Sequence, residues 1–101
     1  MSQASVRLAE PGVLSLAGTL DYSTGAVLRQ EGKALIASAG HEPLILDCSA
    51  VEHSSSVGVS LLLCFLRDAQ AAGKPMAIRG MPADMQQIAQ VNGVSELLAQ
   101  P

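Results

Sequence analysis

A chain of 101 residues with a net charge of −3 has room for one hydrophobic core, and 49% hydrophobic residues supply the material for it. Six scattered basic residues exclude the gathered positive face of a nucleic-acid binder, and two aromatics (Tyr22 and Phe65) exclude a stacking platform for single strands. The longest uncharged apolar stretch, Val57 to Leu66, falls short of the ~20 residues of a membrane helix, so no direct membrane insertion is expected.

Met1 to Arg7 lacks the basic-then-apolar order of a signal peptide, which predicts a soluble protein that would reach a membrane only through a partner. Val6-Arg7-Leu8 alternates weakly, Glu10-Pro11-Gly12 reads as a turn, and Leu14 and Leu16 then share one face, predicting an N-terminal β-hairpin. Asp21 to Ser23 is a helix-start cluster, with Asp21 as the cap. Val27, Leu28, Leu35 and Ile36 continue at helical spacing, and Gly40 is the stop. Pro43 to Cys48 is a short apolar run that predicts a strand buried on both faces. A polar linker, Ser49 to Ser56, is expected next, then a helix over 57–72 ended by Gly73. Lys74 to Arg79 reads as a strand, Gly80-Met81-Pro82 as a turn, and Ala83 to Val91 as a short helix stopped by Asn92-Gly93. Val94 to Leu98 is a closing element of open type. The order β-β-α-β-α-β-α plus a terminal piece predicts an α/β fold with a partly parallel sheet, in one domain over residues 1–101.

Cys48 and Cys64 lie far apart and lack paired metal-ligand spacing with His41 or His53. They read as reduced core thiols, with no metal and no cofactor. Ser54-Ser55-Ser56-Val57-Gly58 is not the G-x-S-x-G nucleophile elbow, and no Walker A sequence is present, so catalysis is not expected. Three consecutive serines before an apolar helix have two readings. A hydroxyl there can cap the helix, which is typically worth ~1 kcal/mol. It can equally serve as a switch, because free N–H groups and the positive end of the helix dipole favour a phosphate or an anionic partner group. Leu61 to Leu66 is apolar all round, so something beyond the sheet must cover it: flanking helices or a partner.

Leu46-Asp47-Cys48-Ser49-Ala50-Val51, a hydroxyl residue at a helix start, Gly58 and an aliphatic helix together resemble the STAS domain. Leu14 to Asp21 looks like that family's "L-x-L-x-G-x-L-D" segment, and 74–80 with 87–94 resemble its C-terminal half. The resemblance implies the STAS (anti-sigma-factor-antagonist-like) fold, a mixed sheet with helices mainly on one face. It implies a partner-binding surface at Ser54, Ser55, Ser56, Val57 and Gly58, with Ser56 on the family's phosphorylatable position. Two positions depart: Ser55 stands where the family has Asp, and Val57 follows the hydroxyl, which changes the charge around the acceptor. The methionines between Met76 and Met85 and the tail Ile88-Ala89-Gln90-Val91-Asn92-Gly93-Val94 look most like the Mla branch. That branch implies a non-catalytic cytoplasmic adaptor at the inner face of the inner membrane. Its partner would be the ATPase subunit of an ABC transporter with its membrane permease, serving phospholipid trafficking and outer-membrane lipid asymmetry. The other branch implies an anti-sigma-factor antagonist controlled by serine phosphorylation through an anti-sigma kinase.

Overall fold

The computed structural model describes residues 4–40 and 43–98; His41 lies outside them. Strands β1 (Ser5–Glu10), β2 (Val13–Leu20), β3 (Leu44–Ser54) and β4 (Met76–Arg79) form one sheet in the order β1-β2-β3-β4. The hairpin β1–β2 is antiparallel and both later pairings are parallel, so the sheet is mixed, as its connections require. Helices α1 (Gly25–Ser38) and α2 (Ser56–Ala71) make the crossovers between parallel strands, and α3 (Ala83–Val91) and α4 (Ser95–Leu98) close the chain. The undecided C-terminal element is therefore a single helical turn.

Period-two burial explains the sheet. On β2, Leu14, Leu16 and Leu20 are buried while Ser15, Ala17 and Thr19 between them are half-buried. Leu44, Leu46 and Cys48 continue the buried row on β3, and Met76 on β4. The helices supply Leu28, Ile36, Val59, Leu62, Phe65, Met85, Ala89 and Leu98 to the same cluster, so they cover one face of the sheet. On the other face Ile45 and Asp47 are only half-buried, so β3 is not the doubly buried strand that its apolar run suggests.

The strand also runs further than expected. Residues 49–54 form no linker but continue β3, pairing Ala50, Val51, His53 and Ser54 with Ala17, Gly18, Thr19 and Leu20. A register shift on either side of Ala17–Gly18 lets this polar half keep its ladder while Val51 alone turns into the core. At the other boundary, β4 begins at Met76; the N–H of Lys74 still closes α2, donating to the Ala69 carbonyl at 2.9 Å. The buried Lys74 ammonium donates to the carbonyls of Ile36, Ala37 and Ala39 at 2.6, 3.1 and 2.7 Å. These are end carbonyls of α1 that have no partner within the helix, and a cation is favoured at that end of the dipole.

Helix α2 is covered by helices of the same chain, α1 along one side and α3 and α4 along another. Helix α1 packs tightly on it at Gly32, where any Cβ would collide with the fully buried Phe65 ring. Glycine there weakens α1 locally yet permits the helix crossing.

Candidate functional site

The serine segment sits where β3 passes into α2, and its three hydroxyls have three different surroundings. Ser55 is the N-cap: its backbone is extended, and its Oγ accepts the Val57 N–H at 3.2 Å. The same hydroxyl donates to the Leu20 carbonyl at 3.3 Å, and the Ser55 N–H donates to that carbonyl at 3.0 Å. Ser54 Oγ donates to the Ser55 carbonyl at 2.8 Å. Ser56, the first helical residue, is exposed, and its hydroxyl has no hydrogen-bond partner among the described residues. Two hydroxyls are thus committed to shaping the turn and one is left to the outside.

This arrangement divides the two sequence readings between adjacent residues. The capping role belongs to Ser55, while Ser56 has the accessible oxygen that a modification or a partner needs. The helix end is less open to anions than the dipole alone suggests. The Val57 N–H is taken by Ser55 Oγ, and the Gly58 N–H donates to the Ser55 carbonyl at 3.0 Å.

Gly58 lies beneath this surface. A Cβ there would overlap Ser54 Oγ and press on the Leu20 side chain, so glycine lets α2 seat directly on the end of β2. Gly58 is buried, and its contribution to the surface is its shape; Ser55, Ser56 and the half-buried Val57 form the part that a partner could touch.

Two carboxylates flank the serines. Asp84, in the first turn of α3, accepts the Ser54 N–H on Oδ2 at 3.3 Å and the Met85 N–H on Oδ1 at 2.8 Å, tying α3 to the site. Nothing in the sequence spacing joins Asp84 to the serines; the only signal was an acid in the first turn of a helix. Asp21 does not cap α1. Its carboxylate turns back on Ser23, taking the N–H at 2.9 Å and the hydroxyl at 2.5 Å, which holds it below the usual carboxylate pKa. The N-cap of α1 is Thr24, whose hydroxyl instead donates to the Thr19 carbonyl at 3.0 Å.

Asp47 behaves as a structural group. Its Oδ1 accepts the Ser49 hydroxyl at 2.7 Å and the Ser49 N–H at 3.0 Å, and Arg79 stands 3.4 Å from Oδ2, lowering its pKa. Cys48 and Cys64 are both free thiols; burial pushes the Cys48 thiol up to about 12, which makes it inert. His53 is exposed on β3, and Thr19 is its register partner. No group of three His, Cys, Asp or Glu side chains that could hold a metal occurs among the described residues. Among the same residues, no helix is long and apolar enough to cross a membrane.

The sequence model of the family described as "Mlab, STAS domain" matches residues 5–99. The chain belongs to this STAS family. It is 30% identical over 76 residues to Osmosensory protein A of Mycobacterium tuberculosis, an alignment covering 75% of this chain and 47% of that protein. The chain thus spans about half the length of that relative. A chain of the Acinetobacter MlaFEDB complex, solved in an ATP-bound Vtrans2 conformation, superposes with a TM-score of 0.81 at 24% identity, covering 96% of this chain and 99% of that one. The Bacillus cell fate determinant SpoIIAA in its phosphorylated form superposes with a TM-score of 0.65 at 18% identity, covering 93% and 86%. At these identities the two structures show a shared STAS fold: a mixed sheet with the helices on one face.

Proposed function

We propose that this STAS protein, a single domain, is a non-catalytic adaptor. In this reading the end of α2 docks on the ATPase subunit of an Mla-type ABC transporter, and through it on the membrane permease, at the cytoplasmic face of the inner membrane. The observation that carries the reading is the division of labour among the serines. The turn is built and capped without Ser56, so the exposed Ser55 and Ser56 and the half-buried Val57 are a preformed surface that needs no rearrangement before binding. The Mlab family match and the near-complete overlap with a chain of the MlaFEDB complex support that choice of partner. Support of phospholipid trafficking and of outer-membrane lipid asymmetry follows from the partner and from no chemistry of this chain.

A second reading, an anti-sigma-factor antagonist, is favoured by one specific observation. The unengaged Ser56 hydroxyl is a chemically free acceptor for phosphate, and the superposed SpoIIAA is itself phosphorylated.

Co-expression with the host's ABC ATPase, followed by gel filtration, separates the readings. The adaptor reading expects one co-eluting complex whose ATP hydrolysis is stimulated over that of the ATPase alone. Elution as separate species, together with a Ser56 phosphopeptide after incubation with an anti-sigma kinase, would replace it with the second.

A further inference from the structure

The charges around the serine segment are one-sided. Asp21 follows Leu20, the residue whose carbonyl accepts Ser55; Glu52 lies two residues before Ser54; and Asp84 bonds the Ser54 N–H. None of these three carboxylates has a basic partner among the described residues, where the ion pairs are Arg29–Asp68 and Arg79–Asp47.

The six basic side chains are held away from this end of the molecule. Arg7 and Arg79 stand in the sheet row of Ser15 and Asp47, five residues back along β2 from Leu20, or roughly 17 Å. Arg67 is eleven residues along α2 from Ser56, about 16 Å, and Lys33 nine along α1 from Thr24, about 13 Å. Lys74 is buried at the far end of α1. Arg29 is nearer, but its guanidinium reaches down to Asp68, twelve residues beyond Ser56 on α2, with Nη2 at 3.3 Å and Nε at 3.4 Å.

Next to Asp21 stands Tyr22, 90% exposed. It is two residues from Leu20, hence within ~7 Å of the backbone that Ser55 is bonded to. The Asp21–Ser23 bonds fix the loop that carries it. An exposed aromatic on a loop held by hydrogen bonds, within reach of the Leu20–Ser55 bonds, has the character of an interface anchor, with large contact area and few rotatable bonds to immobilise.

We infer that the partner face seated on this end carries Arg or Lys side chains around an apolar pocket, and that Tyr22 fills that pocket while Asp21, Glu52 and Asp84 meet the cations. The inference rests on the docking reading above and names the chemistry of its partner. An acidic partner would face three unneutralised carboxylates, and the Val57 and Gly58 N–H groups near the start of α2 are already taken.

The test is titration of the full chain against the host's ABC ATPase and, separately, an anti-sigma kinase at pH 8, in 50 and 500 mM NaCl. Wild type, Tyr22→Ala, Tyr22→Phe, Asp84→Asn and Ser56→Arg are compared, with thermal melts confirming that each folds. For whichever partner binds, Tyr22→Ala weakens affinity at least about tenfold and Tyr22→Phe by less than about threefold. The higher salt weakens wild type by about tenfold or more, and Asp84→Asn, which keeps an acceptor for Ser54, flattens that salt dependence. A partner that Ser56→Arg displaces, but that ignores both Tyr22→Ala and salt, overturns this inference and leaves the docking reading standing. A wild-type chain that binds neither protein overturns both.

Discussion

Replacing Lys74 by Met removes one ammonium and keeps most of its aliphatic stem. In the native protein that ammonium, in a residue only 6% exposed, holds three carbonyls of the α1 end at 2.6–3.1 Å. A hydrogen bond to a charged donor is worth about 1.5–3 kcal/mol net, but three on one ammonium do not add, and taking the charge out of water offsets part of the gain. The carbonyls left behind have no helical N–H to return to, so each that stays dry costs about 1–3 kcal/mol. A net loss of about 2–4 kcal/mol follows, which for a chain of this size lowers Tm by roughly 10–25 °C. Urea unfolding followed by circular dichroism measures it: the midpoint should fall with the slope unchanged. Hydrogen exchange at the α1 end should rise by more than at its start. The exposed Arg67→Met is the control and should leave the midpoint in place. A loss below about 1 kcal/mol for Lys74→Met would refute the claim that this side chain closes α1.

Gly32→Ala should destabilise the protein by about 1–3 kcal/mol in chemical denaturation, although alanine is the better helix former, because the new methyl meets the buried Phe65 ring. Ser55→Ala should cost about 1 kcal/mol by loss of the cap, whereas Ser56→Ala should leave the melting curve where it is. Cys48 should resist alkylation in the native protein at pH 8 and react at once in denaturant. Its folded pKa lies above the unfolded value of 9.0, so its linkage term is constant below pH 9. Stability should then fall as pH rises from about 9 to about 12, by up to ~1.4 kcal/mol per pH unit, a slope that Cys48→Ala removes.

The parts of the fold legible in the sequence are those where burial and local pattern agree. Leu14 and Leu16 alternate and are buried together, and α3 runs over Ala83–Val91 as its pattern and Asn92-Gly93 imply. The second half of β3 was hidden because its outward residues are polar and a register shift breaks the alternation, leaving Val51 as its single inward side chain. Asp21 looked like a cap, yet the carboxylate finds a nearer N–H in its own turn and the helix begins three residues later. At the site, the serine run and the helix start were legible. Which hydroxyl caps and which stays free depends on the Leu20 carbonyl, 35 residues away in the chain, and the approach of Asp84 depends on how α3 docks. No local pattern encodes contacts of that range.

The central claim is that the Ser56 end of α2 is a docking surface for a transporter ATPase. Affinity purification of the tagged protein from its native host, comparing wild type with Ser56→Arg, which sets a cation against a basic partner face, provides the test. An ABC ATPase and its permease should come with the wild type and be lost with the variant, both proteins folding equally well. Recovery of the ATPase undiminished by Ser56→Arg would contradict the surface, and recovery of an anti-sigma kinase in its place would contradict the partner.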